Sequence, residues 1–357
     1  MPVRPDPTEH AMSATLRATG AWARADARLA DAIVDLFLPD TSRLDDRVRS
    51  MVTTTLAALV AQIETDLRRH AARVLVGRGD PARAEAMLGR GDVFARLARA
   101  GLLRDVDLID ELLARVRTDL MADALPGTAA ASDVPGLLVR LTVVPDTVVA
   151  KSASALLGAQ NRRRSATDTD TIESAALPAE IQHRLVWRIA AALRDADDPH
   201  TDQAIAQAAL RSLAAYDEGD RPESVAMRLA IAIDARPAER APLLLETLGD
   251  RNLTLFAAVL AHALAMDHDQ LRAMIVDPEG ERLWLALRAL ALDRATIAEI
   301  ALALSEADPR RDIEAFADRL DAVADVPPDE AAAALAPFAL DRDFRAAMTA
   351  LARCERR

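Results

Sequence analysis

The fold is decided by two similar stretches, Gly77-Arg78-Gly79-Asp80-Pro81 and Gly89-Arg90-Gly91-Asp92. Each holds a glycine suited to end a helix in the left-handed conformation and an aspartate suited to cap the next helix. Pro81 follows at a first helical position, where its missing N–H costs nothing. Arg78-Gly79-Asp80 is also the integrin-ligand tripeptide, but in a chain with no export signal the capping interpretation is favoured. The pattern predicts short helices in quick succession.

The rest of the chain supports a helical interpretation. Ile313, Phe316, Leu320 and Val323 recur at the spacing of one helix face. Apolar residues make up 51% of the sequence but aromatic residues only 3%, so Ala and Leu supply most of the core volume, as in helix-on-helix packing. Leu137 to Val144 has the β-branched content of a strand, but a lone strand lacks a partner, so a helix is predicted there. The predicted fold is all-α: short antiparallel helices in a degenerate α-solenoid (HEAT-like) or two-lobed arrangement.

The best candidate for a domain boundary is residues 161–177. This stretch carries Arg162-Arg163-Arg164 and a run of Thr and Asp, and Ile172 is its one large apolar residue before the helix start at Leu177-Pro178. It predicts a linker or long loop. The predicted domains are therefore an N-terminal helical domain at 1–160 and an acidic C-terminal helical domain at 178–357.

Charge limits the possible partners. Residues 1–160 hold 20 basic and 21 acidic side chains, residues 161–357 hold 24 and 35, and the whole chain has a net charge of −12. An acidic surface disfavours non-specific nucleic-acid binding and docking on anionic lipid. The longest apolar stretch, Leu255 to Met266, is far shorter than the roughly 20 residues of a membrane span. Protein partners are expected, with no nucleic acid and no membrane, and a homo-oligomer is possible.

Cysteine use and the first residues bear on the cellular compartment. Cys354 is the only cysteine, which rules out an intrachain disulfide framework and a cysteine-based zinc site. The polar, proline-broken start, Met-Pro-Val-Arg-Pro-Asp-Pro, lacks the apolar core of a signal peptide. A cytoplasmic location is therefore expected.

The strongest candidate for metal chemistry is Asp195-Ala196-Asp197-Asp198 followed by Pro199-His200. Closely spaced aspartates can hold Mg²⁺ together with a substrate phosphate, so Asp195, Asp197, Asp198 and His200 are weak metal candidates. However, Asp198 before Pro199 also has the pattern of an ordinary helix cap, and this interpretation is favoured.

Other site motifs are absent from the sequence. It has no Gly-x-Ser-x-Gly elbow, no His-x-x-x-His pair and no phosphate-binding loop before Lys151, its one lysine. No catalytic residue and no cofactor are predicted. Arg162, Arg163 and Arg164 form a candidate interaction or phosphate-binding segment, for which a solvated linker is the simpler interpretation.

A resemblance to a known family rests on the residues around the predicted boundary. Ala159-Gln160-Asn161-Arg162-Arg163, the segment from Leu177-Pro178-Ala179-Glu180 through Trp187 to Arg194, and the later segment from Leu283 to Asp321 resemble the uncharacterised bacterial family domain of unknown function 2336. The resemblance runs over most of the chain. It implies an all-helical, repeat-like cytoplasmic protein of alphaproteobacterial type, and it supplies no site.

Two classes of function are compatible with these observations. The favoured class is a non-enzymatic helical-repeat protein that acts as a protein–protein interaction scaffold or regulator. The alternative is a helical ligand-binding protein or Mg-dependent enzyme whose pocket is assembled from residues far apart in sequence. An enzyme is thus the less favoured class.

Overall fold

The computed structural model describes residues 43–89, 91–127, 135–168, 177–194 and 198–355. Within these ranges the secondary structure is helical, with 17 α-helices and no strand. The first nine are α1 (Asp46–Gly77), α2 (Pro81–Leu88), α3 (Val93–Arg99), α4 (Val106–Ala124), α5 (Leu137–Leu141), α6 (Thr147–Asp168), α7 (Ala179–Ala192), α8 (Pro199–Ala214) and α9 (Pro222–Ile233). The others are α10 (Pro237–Gly249), α11 (Leu253–Leu264), α12 (His268–Val276), α13 (Glu281–Ala289), α14 (Arg294–Ala307), α15 (Ile313–Asp325), α16 (Pro328–Leu335) and α17 (Arg342–Glu355).

The all-α prediction is confirmed, and so are both aspartate caps. Asp80 begins α2 by accepting a hydrogen bond from the N–H of Arg83 at 3.1 Å, and Asp92 begins α3 in the same way. Gly79 has a φ of 82°, the left-handed conformation that glycine adopts without strain. Gly89 differs: its φ of −58° lies outside that region, so the left-handed prediction is wrong for this glycine. The repeat-like solenoid arrangement stays a prediction.

Helix α11 lies at the centre of the packing. Eight of its 12 residues are buried, on every side of the helix, and it contacts α4, α9, α10, α12 and α13. A helix that is apolar all round is one that its neighbours enclose. Among the described residues, no helix is long and apolar enough to cross a membrane.

Helices from both sides of residues 161–177 pack against one another. Helix α3 contacts α7, and α6 contacts α9 extensively. The described residues from Ser50 onwards form one compact unit. Contacts therefore cross the stretch at which the sequence predicted a division.

The segment predicted as a linker is partly helical. Helix α6 continues to Asp168, so the loop prediction does not hold for residues 161–168, and residues 169–176 lie outside the described part of the chain. Ala and Arg favour helix, and Arg163 gains ion-pair partners in the interior by staying on the helix. The prediction of a helix rather than a strand after Gly136 is confirmed by α5, Leu137–Leu141.

Candidate functional site

The aspartates predicted as weak metal candidates are only partly described. Asp195 and Asp197 lie outside the described residues. Asp198 caps α8 through the N–H of His200, accepts from the hydroxyl of Thr201 at 2.6 Å and pairs with the Arg83 guanidinium at 2.7 Å. The Asp198 carboxylate thus already has three partners: the backbone N–H of His200, the Thr201 hydroxyl and the Arg83 guanidinium. The described ranges hold no group of three or more His, Cys, Asp or Glu side chains placed to bind a metal ion.

The arginines predicted to form an interaction segment lie in different surroundings. Arg162 is exposed near the end of α6. Arg163, the next residue, turns into the protein and pairs with Asp119 at 2.7 Å. The Arg164 side chain is outside the described part. Arg163 belongs instead to a cluster of ionised side chains that was not predicted from the sequence.

This central charged cluster joins α4, α6, α9 with the residue before it, and α12. Its members are Glu111, Arg115, Asp119, Arg163, Arg221, Glu223, His268, Asp269 and Arg272. Ionised groups in a protein interior need partners, because leaving water costs several kcal/mol per ion. Each ionised side chain of the cluster is therefore expected to lie near a group of opposite charge.

Helix periodicity brings these residues together. Glu111, Arg115 and Asp119 recur every four residues on α4 and so lie along one face of that helix. Opposite them, His268, Asp269 and Arg272 occupy the first turns of α12. Asp269 also lies near the positive end of the α12 dipole, which favours an anion.

Glu111 is the least exposed carboxylate of the cluster. Its side chain is 6% exposed, and both its oxygens accept from the Arg272 guanidinium, one of them at 3.1 Å. Arg221 donates to the same carboxylate at 3.4 Å. A two-point arginine–carboxylate pair is the strong form of a charge-assisted hydrogen bond. Glu111 therefore pairs with two buried cations.

Arg163 links α4 to α9. It donates to both oxygens of Asp119, at 2.7 and 2.8 Å, and to Glu223 at 3.4 Å. Burial by itself would raise the pKa of Glu223, but the guanidiniums of Arg163, Arg221 and Arg272 outweigh it and lower the pKa to about 2. Glu223 is therefore ionised at every physiological pH.

His268 and Asp269 complete the cluster on α12. The Nε2 atom of His268 donates to the carbonyl oxygen of Thr254 at 3.2 Å, which leaves Nδ1 3.6 Å from the Asp269 carboxylate. Burial opposes ionisation of Asp269, but His268 and the guanidiniums of Arg272 and Arg221 hold its pKa well below the usual range. Among the described residues, the buried Nδ1 atom has no hydrogen-bond partner.

Arg115 is the exception in the cluster. No described residue forms a hydrogen bond or an ion pair within 4.0 Å with its guanidinium. Burial, and then repulsion from Arg163, lower the pKa of Arg115 to about 10, although Asp119 and Glu223 act in the opposite direction. Arg115 is therefore a part-buried cation that forms no ion pair among the described residues, although Asp119 and Glu223 lie near enough to favour its charge.

A small cavity lies beside Arg115. Arg163, Glu223, His268 and Arg272 also line it, together with Thr118, Thr254 and the apolar side chains Leu253, Ala257 and Ile275. The centre of a water-sized sphere can move through about 10 Å³ of it, which is room for one water molecule or one small ion. Three guanidiniums, one carboxylate and one imidazole thus border a space that has room for about one water molecule.

The sequence carries no clear signal for this cluster. Glu111 and Arg115 stand four residues apart on a helix, which is the usual spacing of a solvent-exposed ion pair. His268 lies between two aspartates, a setting typical of a surface residue, but it is buried at the start of α12. Only the packing of distant helices shows that these groups face one another.

A second unusual feature is the outer face of α17. Phe344, Met348 and Leu351 follow the i, i+4, i+7 spacing of one face, and they are 56%, 50% and 66% exposed. The guanidinium of Arg345 lies 5.9 Å from the centre of the Phe338 ring, which itself packs on the core. The helix therefore contacts the body of the protein and presents a stripe of large apolar side chains outwards.

These features describe an all-helical protein with an ionised cluster among its helices and an exposed apolar stripe on α17. The sequence pattern of the DUF2336 family, an uncharacterised protein conserved in bacteria, matches residues 152–336, just over half of the chain. The chain belongs to this family. The match begins within α6 and ends at the start of the segment after α16, a narrower span than the resemblance had indicated. No curated protein and no solved structure was found to match.

Proposed function

We propose that this protein is a non-enzymatic partner-binding protein, a scaffold or regulator in the bacterial cytoplasm, and that α17 is its recognition element. The observation that carries the proposal is the exposed apolar stripe of Phe344, Met348 and Leu351. Scattered apolar residues are normal on a surface, but three on one helix face form a continuous strip. This spacing is that of the anchors used when a helix binds in a groove.

Charge favours one kind of partner. Residues 342–357 hold five arginines against Asp343 and Glu355, a balance of +3, on a chain whose net charge is −12. A basic segment on an acidic protein is attracted to carboxylates elsewhere. The expected occupant is therefore another protein with an apolar groove that is rimmed by Asp and Glu.

Site-specific photo-cross-linking of the full chain in its native bacterium tests the proposal. A cross-linker replaces Met348 in one version and Leu210, which is 58% exposed on α8, in the control version. A single partner is expected from position 348 and not from position 210. With the purified partner, Leu351→Ala should raise the Kd about tenfold or more, because burying one Leu side chain contributes roughly 1.5–3 kcal/mol.

A control substitution and three results that would contradict the proposal complete the test. Leu210→Ala should leave the Kd unchanged, and added salt should weaken binding if carboxylates rim the groove. Failure to cross-link at position 348 would overturn the proposal. Cross-linking of position 348 to a second copy of the same chain would replace the partner protein with self-association. Binding that is unaffected by Leu351→Ala would exclude α17 as the recognition element.

The second candidate function is ligand binding in a pocket assembled from distant residues. The cavity beside Arg115 is lined by residues of several helices, but it has room for only about one water molecule, so the partner-binding proposal is favoured over this one.

A further inference from the structure

We propose that Met348 is a redox-sensitive modification site, and that its oxidation by a peroxide weakens partner binding by α17. The inference rests on the proposed function, because it concerns regulation of the stripe formed by Phe344, Met348 and Leu351. Two observations carry it. Met348 is far more exposed than the other described methionines, and it lies in the middle of the stripe.

The methionines of the chain differ strongly in exposure. The sequence holds nine of them, and the structure describes the surroundings of seven. Four of the seven are less than a tenth exposed: Met87, Met121, Met266 and Met274. Met51 and Met227 are partly buried, whereas Met348 is 50% exposed. An oxidant dissolved in water therefore reaches Met348 more readily than any other methionine in the described part of the chain.

The modification is the oxidation of a thioether to a sulfoxide. One oxygen atom of hydrogen peroxide forms a bond to the sulfur of Met348, the O–O bond breaks, and the other oxygen leaves as water with both hydrogens. The sulfur loses two electrons and the peroxide gains them, so no further reactant is needed. The product has a polar S–O group in place of an apolar sulfur, and a reductase can reverse the change.

The position of Met348 makes the stripe sensitive to this change. Phe344 lies four residues before it and Leu351 three residues after it, so the three side chains share one face of α17. A partner that covers this face would also have to bury the sulfoxide, and burying a polar group without a hydrogen bond is unfavourable. Oxidation should therefore raise the Kd for the partner about tenfold or more.

Peptide mass spectrometry of the full chain, sampled during treatment with hydrogen peroxide, tests the selectivity. The peptide that contains Met348 should gain one oxygen atom at least about five times faster than the peptides of Met51 and Met227, because of the difference in exposure. The buried Met274 provides the slow reference. Equal rates at Met348 and Met227 would overturn the inference.

Binding to the partner captured by photo-cross-linking tests the consequence. The full chain is treated with peroxide, freed of it and mixed with the untreated partner, and the Kd should rise about tenfold or more. A methionine sulfoxide reductase with dithiothreitol should restore the original Kd. Met348→Leu is the matched control, since leucine keeps the size and the apolar character without a sulfur atom, and its Kd should not respond to peroxide. Met348→Gln, which has a permanent polar group, should have the raised Kd without any peroxide.

Retention on a phenyl resin measures the same change without the partner. Peroxide should shorten the retention of the unchanged protein and leave that of Met348→Leu nearly the same. The Tm of the oxidised protein should stay the same, because the side chain of Met348 is already half in water, so that unfolding does not account for the effect. A shortened retention without any captured partner would contradict the proposed function alone, since the change in the stripe would still be shown.

Two further results would overturn the inference. One is a Kd and a retention that stay unchanged although Met348 carries the sulfoxide. The other is an equal loss of binding in the unchanged protein and in Met348→Leu after peroxide. That result would assign the effect to another oxidisable residue, such as Cys354 in the same helix.

Discussion

The central charged cluster and the outer face of α17 reverse the usual distribution of side chains in opposite ways. The cluster places Glu111, Arg221 and Arg272 in the interior, where each is less than a tenth exposed. Helix α17 places Phe344, Met348 and Leu351 on the outside, each at least half exposed. Charge is buried in one region, and apolar surface is exposed in the other.

The two regions differ in where the partner of the unusual side chains lies, within the same chain or on another molecule. In the cluster, nearly every charge finds its counter-charge within the same chain, and Arg115 is the exception. On α17 the side chains of the stripe are exposed to water. Their burial would therefore contribute free energy only if another molecule covered them. Internal pairing offsets the cost of burying these charges, whereas the exposed α17 stripe is suited to binding another molecule. Three measurements sharpen this comparison.

The largest effect is expected from Glu111→Gln. This change leaves Arg221 and Arg272 buried with fewer counter-charges, and breaking a buried ion pair typically costs about 3–5 kcal/mol of unfolding free energy. Urea unfolding at neutral pH measures it. Glu281→Gln is the matched control, since Glu281 pairs with Arg319 at the surface, where a lost pair costs about 0.5 kcal/mol. Equal losses in the two variants would show that the interior pairs contribute no more than surface pairs.

A smaller effect is expected from acid. Folding lowers the pKa of Glu223 from its ordinary 4.5 to about 2, so its ionised form stabilises the protein above pH 4.5 and this contribution is lost as pH falls towards 2. The loss corresponds to about 3 kcal/mol over that range. In Glu223→Gln the fall of unfolding free energy between pH 5 and pH 2 should be shallower by this amount, as urea unfolding at several pH values will measure. Parallel profiles for the two proteins would contradict the assignment.

The smallest effect is expected on α17. Leu351→Ala should change the unfolding free energy by less than about 0.5 kcal/mol, because the side chain is mostly in water already. Leu112→Ala, at a fully buried position of α4, should cost about 2–5 kcal/mol and provides the matched comparison. A loss above about 1 kcal/mol for Leu351→Ala would mean that this face packs within the protein, and the binding proposal for α17 would fail.

Part of the fold could be predicted because its signals are local. The caps at Asp80 and Asp92 depend on hydrogen bonds to residues three positions ahead, so the sequence contains both donor and acceptor. The stripe of Ile313, Phe316, Leu320 and Val323 was predicted from helix periodicity alone. Phe316 and Leu320 are buried in α15 and Val323 packs against the core, whereas Ile313, at the start of the helix, is 37% exposed. Leu137–Leu141 is likewise helical.

The predictions that failed involved surroundings that local sequence does not contain. The run of Arg162 and Arg163 suggested a solvated linker, but Arg163 is drawn inward by Asp119 and Glu223, 44 and 60 residues away. Gly89 had the residue type of a left-handed helix end, but the chain turns there without a positive φ. The metal candidates Asp195 and Asp197 remain untested, and Asp198 is a helix cap.

The sequence alone determined that this protein is a series of short helices, because helix starts, helix ends and apolar faces are written in residues at most a few positions apart. It also determined the charge of the basic end, residues 342–357. Only the tertiary structure decided which charges lie inside. Glu111 and Arg272 are 161 residues apart along the chain, and nothing in either helix distinguishes this pair from an ordinary exposed one until α4 and α12 pack together. A site made from such contacts depends on distances in space, which a linear sequence does not specify.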